Sequence, residues 1–151
     1  MAKKTKNAQY FEGIGRRKFA VARVRLYLVN RSKTAEVNGQ TLKAGECLIN
    51  DKALATSNLS SWEKNFILSP LNLTENLERF VITVHVSGGG KNGQMEAIVH
   101  GLARAIELVD RTQYRPILKN QGLLRRDART RERRKVGTGG KARRVKQSPK
   151  R

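Results

Sequence analysis

The chain has 151 residues, enough for one core of ordinary size, and carries 32 lysines and arginines against 12 acidic residues, a formal net charge of +20. Self-repulsion at that level calls for a polyanionic partner; no apolar run approaches the roughly 18 residues of a spanning helix and the basic stretches lack an apolar face, which sets a membrane aside. Residues 1–18, 19–122 and 123–151 carry net charges of +5, +4 and +11, so the expected organisation is a basic N-terminal segment, a globular body over 19–122 and a basic tail over 123–151.

The first residues, Met1 to Lys6, have the charge of a signal peptide's opening, but no apolar segment follows before Gly13, and the mature chain is expected to start here. From Phe19 to Asn30, Ala20, Ala22, Val24, Leu26 and Leu28 alternate with a set containing Arg23, Arg25 and Tyr27, the pattern of a half-buried strand. Ala35 to Val37 then meets Asn38-Gly39, a dipeptide suited to a tight turn, and Gln40 to Leu42 returns as a short hairpin. The single cysteine, Cys47, has no internal disulfide partner, which suits a reducing compartment, and reads as a small buried hydrophobe. Ser61 to Leu68 predicts a short helix stopped near Pro70, with a further helical turn or two from Thr74 to Arg79. Trp62, Phe66 and Tyr114 read as core or packing residues rather than base-stacking platforms, since aromatics are few and not interleaved with the basic runs, and the expected mode of RNA binding is backbone and shape rather than single-strand base reading.

Phe80 to Val86 alternates again as a central strand, with Phe80, Ile82, Val84 and Val86 on one face. It leads through Gly88-Gly89-Gly90-Lys91-Asn92-Gly93 into the longest periodic segment, Gly93 to Val109, where Met95, Ile98, Val99, Leu102, Ile106 and Val109 recur at helical spacing. Glu96, His100, Arg104 and Glu107 line the other side at spacings of three and four, so mutual salt bridges are open to them. A flexible loop ending on helix amides suits a phosphate, although a loop that merely needs positive φ has the same composition. Gly88, Gly90 and Gly93 match a dinucleotide fingerprint with Asp110 beyond, but that acid ends a helix rather than a second parallel strand. Gln94-Met95 also stands where a Walker A loop needs Lys and Ser or Thr. A last helix near Tyr114 to Asn120 fits a stop at Gly122 in the left-handed conformation.

No catalytic set emerges: His85 and His100 lack a cysteine or second histidine at metal spacing, and no G-x-S-x-G elbow is present. The expectation is a nucleic-acid-binding protein that is not an enzyme and holds no cofactor or metal. The tail is dense in arginines that fork onto phosphates or stack on bases, with Gly137, Gly139 and Gly140 allowing bends. Up to this point the residues fit a free-standing RNA chaperone or nucleoid-type nucleic-acid-binding protein, the alternative that the next observations are weighed against.

Four blocks of sequence then carry a resemblance. They are Gly13-Ile14-Gly15-Arg16-Arg17-Lys18 with Ala22-Arg23-Val24; Val86 to Gly90 through Gly93-Gln94, Ala97-Ile98 and His100 to Ala105; Leu124, Arg126 to Arg129 and Glu132 to Gly137; and Lys141 to Arg144 with Gln147 and terminal Lys150-Arg151. In order and over nearly the whole chain, these blocks resemble the bacterial small-subunit ribosomal protein S-nine family. The resemblance implies an α/β (α+β) domain of the ribosomal S-five domain-two type docked on ribosomal RNA in the subunit head. It also implies neighbouring head proteins and a tail threading toward the tRNA of the peptidyl site. Two departures stand out: Gly137-Thr138-Gly139-Gly140 replaces the usual approach to Lys141, and Lys146-Gln147-Ser148-Pro149 precedes the last two residues. Residues 44–60 match poorly and take nothing from the family.

Charge, loop and resemblance together select candidate RNA contacts. Near the start these are Arg16, Arg17, Lys18 and Arg23; in the loop and following helix Gly88, Gly89, Gly90, Lys91, Gln94, His100 and Arg104; in the tail Arg125, Arg126, Arg129, Arg133, Arg134, Lys135, Lys141, Arg143 and Arg144. Lys150 and Arg151 are the expected tRNA contacts, by resemblance. The expected location is the ribosome, in the cytoplasm or in an organelle with its own genome.

Overall fold

A computed structural model describes residues 10–29, 33–37 and 39–137. Its strands are β1 (Tyr10–Arg17), β2 (Ala20–Leu28), β3 (Thr34–Val37), β4 (Gln40–Lys43), β5 (Cys47–Ile49), β6 (Lys52–Ala53) and β7 (Phe80–Ser87). Its helices are α1 (Ser61–Leu73), α2 (Lys91–Val109) and α3 (Arg111–Asn120), with a 3-10 turn at Leu77–Arg79. The mixed sheet has the order β1-β2-β7-β5-β6, in which only the β5–β7 pair is parallel; β3 and β4 form a separate hairpin. This is the mixed α+β architecture expected.

One face of the sheet carries the main core. Ala20, Ala22, Val24 and Leu26 of β2 and Phe80, Ile82, Val84 and Val86 of β7 are buried there against Met95, Ile98, Leu102 and Ile106 of α2, with Ile67 and Leu71 of α1 and Leu118 of α3 behind. Among the described residues, the opposite face is covered at one end, where the β3–β4 hairpin brings Ala35, Val37 and Leu42 over Tyr27 and Val81, cross-strand partners in register. That patch corrects the alternation expected for β2: Tyr27 is buried because the hairpin lies on it, and Leu28 is exposed. Cys47 is buried as expected, and desolvation pushes its thiol pKa up to about 12.

Three further differences from the sequence reading have identifiable causes. Residues 10–17, assigned to the polar N-terminal segment, form β1, paired with β2 along its whole length. Its core-facing positions are Phe11, Gly13, Gly15 and Arg17, so no apolar alternation betrays it. An alanine Cβ at Gly13 or Gly15 would lie 2.2 Å from the Gly101 carbonyl oxygen or 1.8 Å from that of Ala97, so β1 and α2 meet backbone to backbone. Helix α1 runs through Pro70 to Leu73. Proline forfeits one helical hydrogen bond, but Ser60 and Glu63 close a capping box at the start, the Pro70 ring is buried, and the Thr74 hydroxyl donates to the Pro70 carbonyl at 2.9 Å. Finally, the poorly matching stretch builds the sheet's far edge. Asn50 and Asp51 take positive φ in the two-residue β5–β6 turn, and the Asn50 amide donates to the Val86 carbonyl at 3.0 Å and accepts from its N–H at 2.9 Å, like an extra strand residue.

Candidate nucleic-acid interface

The β1–β2 turn and the loop before α2 lie side by side. Lys18 takes φ +50° in the turn, and Phe19 beside it is 84% exposed. Gly88 and Gly89 have φ of +72° and +66°; a Cβ on Gly88 would lie 2.5 Å from the Phe19 carbonyl oxygen, and one on Gly89 3.0 Å from the Ala20 nitrogen. Both glycines are thus required by conformation and close approach, independent of any ligand. Gln94 donates its side-chain amide to the Gly88 carbonyl at 3.0 Å, fixing the loop. Gly90 differs: it is the N-cap of α2, makes no side-chain cap, and has open space where a Cβ would stand. Lys18, Phe19, Gly89 to Gly93 and Lys91 line an open cleft of about 390 Å³. Lys91 also pairs with Glu63 at 2.7 Å, which holds that carboxyl below its ordinary pKa.

The tail leaves the body a short distance away. Helix α3 ends in a Schellman motif, with Gly122 at φ +70°, its N–H donating to the Lys119 carbonyl at 2.9 Å, and the Leu123 N–H donating to that of Leu118 at 3.1 Å. Leu123 and Leu124 then pack against the core. Arg17, 8% exposed, locks the next residues: its guanidinium donates to Glu96, to the Arg129 carbonyl and, at 3.1 Å, to Asp127. Arg129 folds back on Asp127 through its backbone N–H and guanidinium, the main reason that carboxyl stays far below the usual range. Arg16, Phe66, His100, Leu123 and Arg125 are among the residues lining a cleft of about 150 Å³ at this root.

The polar side of α2 does not bridge to itself. The Arg16 N–H donates to His100 Nδ1 at 3.3 Å and Arg104 donates to the Ile14 carbonyl at 2.7 Å, both on β1, while Glu96 pairs with Arg17 and Glu107 with Arg111 and Arg115. His100 is half-buried; desolvation, then the neighbouring Arg104 charge, lower its pKa from the ordinary 6.5, and it accepts as neutral imidazole. A depressed histidine pKa contributes stability above the unfolded value, and that stability is lost as pH falls through the folded value. The melting temperature should therefore drop more steeply from pH 7.5 to 5 in the native chain than in His100→Gln. Parallel curves would show that the imidazole carries no such linkage.

The structure thus gathers Arg16, Lys18, Gly88 to Lys91, Gln94 and Arg125 at one end of the sheet, and turns Arg17, Arg104 and His100 toward internal partners. Arg23 stands apart, exposed on the opposite sheet face beside His85. Arg126, Arg133, Arg134 and Lys135 are exposed, whereas Lys141, Arg143, Arg144, Lys150 and Arg151 lie outside the described residues. Asp110 caps α3, accepting from the Gln113 N–H at 3.1 Å, which accounts for the false dinucleotide match. Tyr114 and Phe66 pack as expected, but Trp62 is 67% exposed, a correction to its reading as a packing residue. The hint lay in spacing: the buried line through Ile67 and Leu71 steps back to Glu63 and Lys64, leaving Trp62 to the side. Phe19 was missed for a similar reason, being read as the start of a strand when it occupies a turn. Among the described residues no metal-binding cluster occurs, and no helix is long and apolar enough to cross a membrane.

Comparison with known proteins agrees with these features. Residues 15–151 match the family model described as ribosomal protein S9/S16. The chain is 41% identical over 128 residues to a protein named small ribosomal subunit protein uS9 from Dehalococcoides mccartyi strain BAV1, covering 85% of this chain and 86% of that one. A protein of the same name from strain 195 is 40% identical over the same shares. With its α+β body, its glycine loop and the match over nearly its full length, the chain belongs to the ribosomal protein S9/S16 family.

Proposed function

We propose that this protein is a structural, non-enzymatic constituent of the small ribosomal subunit, binding ribosomal RNA in the subunit head through the end that gathers the β1–β2 turn, the glycine loop and the tail root. The observation that carries the reading is this convergence. Exposed cations from three distant parts of the chain, Lys18, Lys91 and Arg125, surround two neighbouring clefts on a body whose other charges are mostly balanced. Backbone and shape recognition is the mode such a surface supports, because cations position phosphates without reading sequence. The partners are then small-subunit RNA and neighbouring head proteins, and the location is the ribosome. In a cell lysate separated on a density gradient, the protein should travel with small subunits after a wash at moderate salt. Recovery only in slow-sedimenting fractions would favour a free-standing RNA-binding protein.

Within this reading Gly90 is the clean probe of the loop. Gly90→Asp adds a good N-cap acceptor at an open position, so stability should stay level or rise by a few tenths of a kcal/mol. The added negative charge should weaken binding to small-subunit RNA severalfold. Undiminished affinity in the folded variant would remove the loop from the interface.

The tail's far end completes the proposal: Lys150 and Arg151 meet the tRNA in the peptidyl site. Residues 123–129 are held on the body, and the 21 residues beyond Thr130 span on the order of 70 Å when extended at about 3.3 Å per residue, so reach is not limiting. Deleting both residues should leave subunit assembly intact and weaken tRNA affinity by about 1–2 kcal/mol, the scale of charged hydrogen bonds. Filter binding to messenger-programmed subunits measures it, and identical affinities across salt would exclude the contact.

A further inference from the structure

We infer that Trp62 is a stacking platform for an unpaired RNA base, an inference that rests on the RNA-binding role proposed above and deepens it. The indole is 67% exposed, yet it is held in place, stacked on Phe66 with ring centroids 5.5 Å apart and planes 10° from parallel. Phe66 packs against the core, so the pair presents a supported flat surface. The pair is connected to both basic places described above. Phe66 lines the tail-root cleft with Arg16 and Arg125, and Glu63, next to Trp62, is tied to Lys91 at the start of α2. No carboxylate among the described residues pairs with the Arg16 or Arg125 guanidinium. An apolar protein surface laid on this patch would bury those cations without partners, which is costly, whereas a nucleotide offers a π-face to the indole and a phosphate to the arginines. A paired helix keeps its bases stacked inside, so the occupant is an unpaired nucleotide, taken with little preference for base.

The chain has one tryptophan, so its emission reports this site alone. The full chain is titrated at moderate salt with end-labelled oligoadenylate and with a labelled blunt RNA duplex of equal length, following label anisotropy and tryptophan emission together. Both RNAs should raise the anisotropy, but only oligoadenylate should quench the emission, by roughly half or more. Trp62→Ala should lower oligoadenylate affinity about tenfold and leave duplex affinity unchanged, with Trp62→Phe regaining most of the loss. Binding without quenching, or equal quenching by the duplex, overturns the platform and leaves the RNA-binding role standing. In subunits assembled with a chain carrying 5-hydroxytryptophan at position 62, which is excited apart from ordinary tryptophan, an emission untouched by RNA but shifted to the blue assigns a protein neighbour and also overturns it. No anisotropy change with either RNA overturns the RNA-binding role itself, and the platform with it.

Discussion

Gly15→Ala is expected to cost about 3 kcal/mol or more and to leave much of the chain unfolded at modest temperature. The added methyl would sit 1.8 Å from the Ala97 carbonyl oxygen and 2.4 Å from the Gly101 nitrogen, both backbone atoms of α2 that no rotamer change can move. Overpacking typically costs about 1–3 kcal/mol where side chains give way, and here the strand or the helix must shift as a unit. Loss on this scale is a large share of a domain's whole stability. The tightness of the site is also visible from the helix side. Gly101 sits mid-helix, where alanine would be favoured by about 1 kcal/mol, but its Cβ would lie 2.8 Å from the Val24 Cγ2 and 3.1 Å from the Gly15 nitrogen. Gly90→Ala, at an open position with ordinary φ, is the control and should lose no more than about 1 kcal/mol, the scale of a poorer N-cap. Thermal melts followed by circular dichroism compare them, and a Gly15→Ala midpoint equal to that of the control would mean that β1 does not lie on α2 as described.

Ending the chain after Gly122, the boundary suggested by charge alone, is expected to destabilise the body by about 2–4 kcal/mol. The cut removes Leu123 and Leu124 from the core and strips the buried Arg17 of Asp127 and the Arg129 carbonyl, leaving it only Glu96. Partly buried leucines are each worth a fraction of about 1.5–3 kcal/mol, and a buried cation that loses partners costs more again. Ending after Thr130 keeps all of these contacts, and residues 131–137 just beyond the cut are exposed, so stability should change by less than about 0.5 kcal/mol. The two truncations separate folding from binding. The longer one should fold normally yet bind RNA more weakly and with a shallower salt dependence, each lost phosphate contact removing about 0.7–0.9 from the slope of log affinity against log salt. Equal melting points for the two truncations would show that residues 123–130 are not part of the body, and an unchanged slope would show that the rest of the tail does not contact RNA.

What the sequence made legible follows the physics of each element. Strands β2 and β7 and helix α2 bury apolar side chains at a regular period, so each was visible from its own residues. Strand β1 was not, because Gly13 and Gly15 contribute close approach rather than apolar area, and such a contact makes sense only beside Ala97, Gly101 and Ala105, more than eighty positions away. The glycine loop and the tail were legible as composition, and their family blocks placed them on the S-nine pattern. Which cations face outward was not legible. Arg17, His100 and Arg104 look like RNA ligands in the sequence, and only the fold supplies Glu96, the Arg16 N–H and the Ile14 carbonyl as their partners. The same limit explains Trp62, whose scarcity suggested a packing role that its place at the side of α1 denies it.

The way β1 is finished off bears on the life of the chain before it meets RNA. An open sheet border offers amides and carbonyls to any passing strand, and a newly made copy surrounded by others of its kind is the nearest source of one. Here the Arg16 amide and the Ile14 carbonyl are already taken by His100 and Arg104, and at the opposite border β6 is two residues long. Copies waiting for assembly are thus denied a template for joining edge to edge. The mutual repulsion of +20 per chain works in the same direction. Acidification, by protonating His100, would uncover the Arg16 amide, so copurifying aggregates should increase first at low pH and high salt, where both protections are weakest.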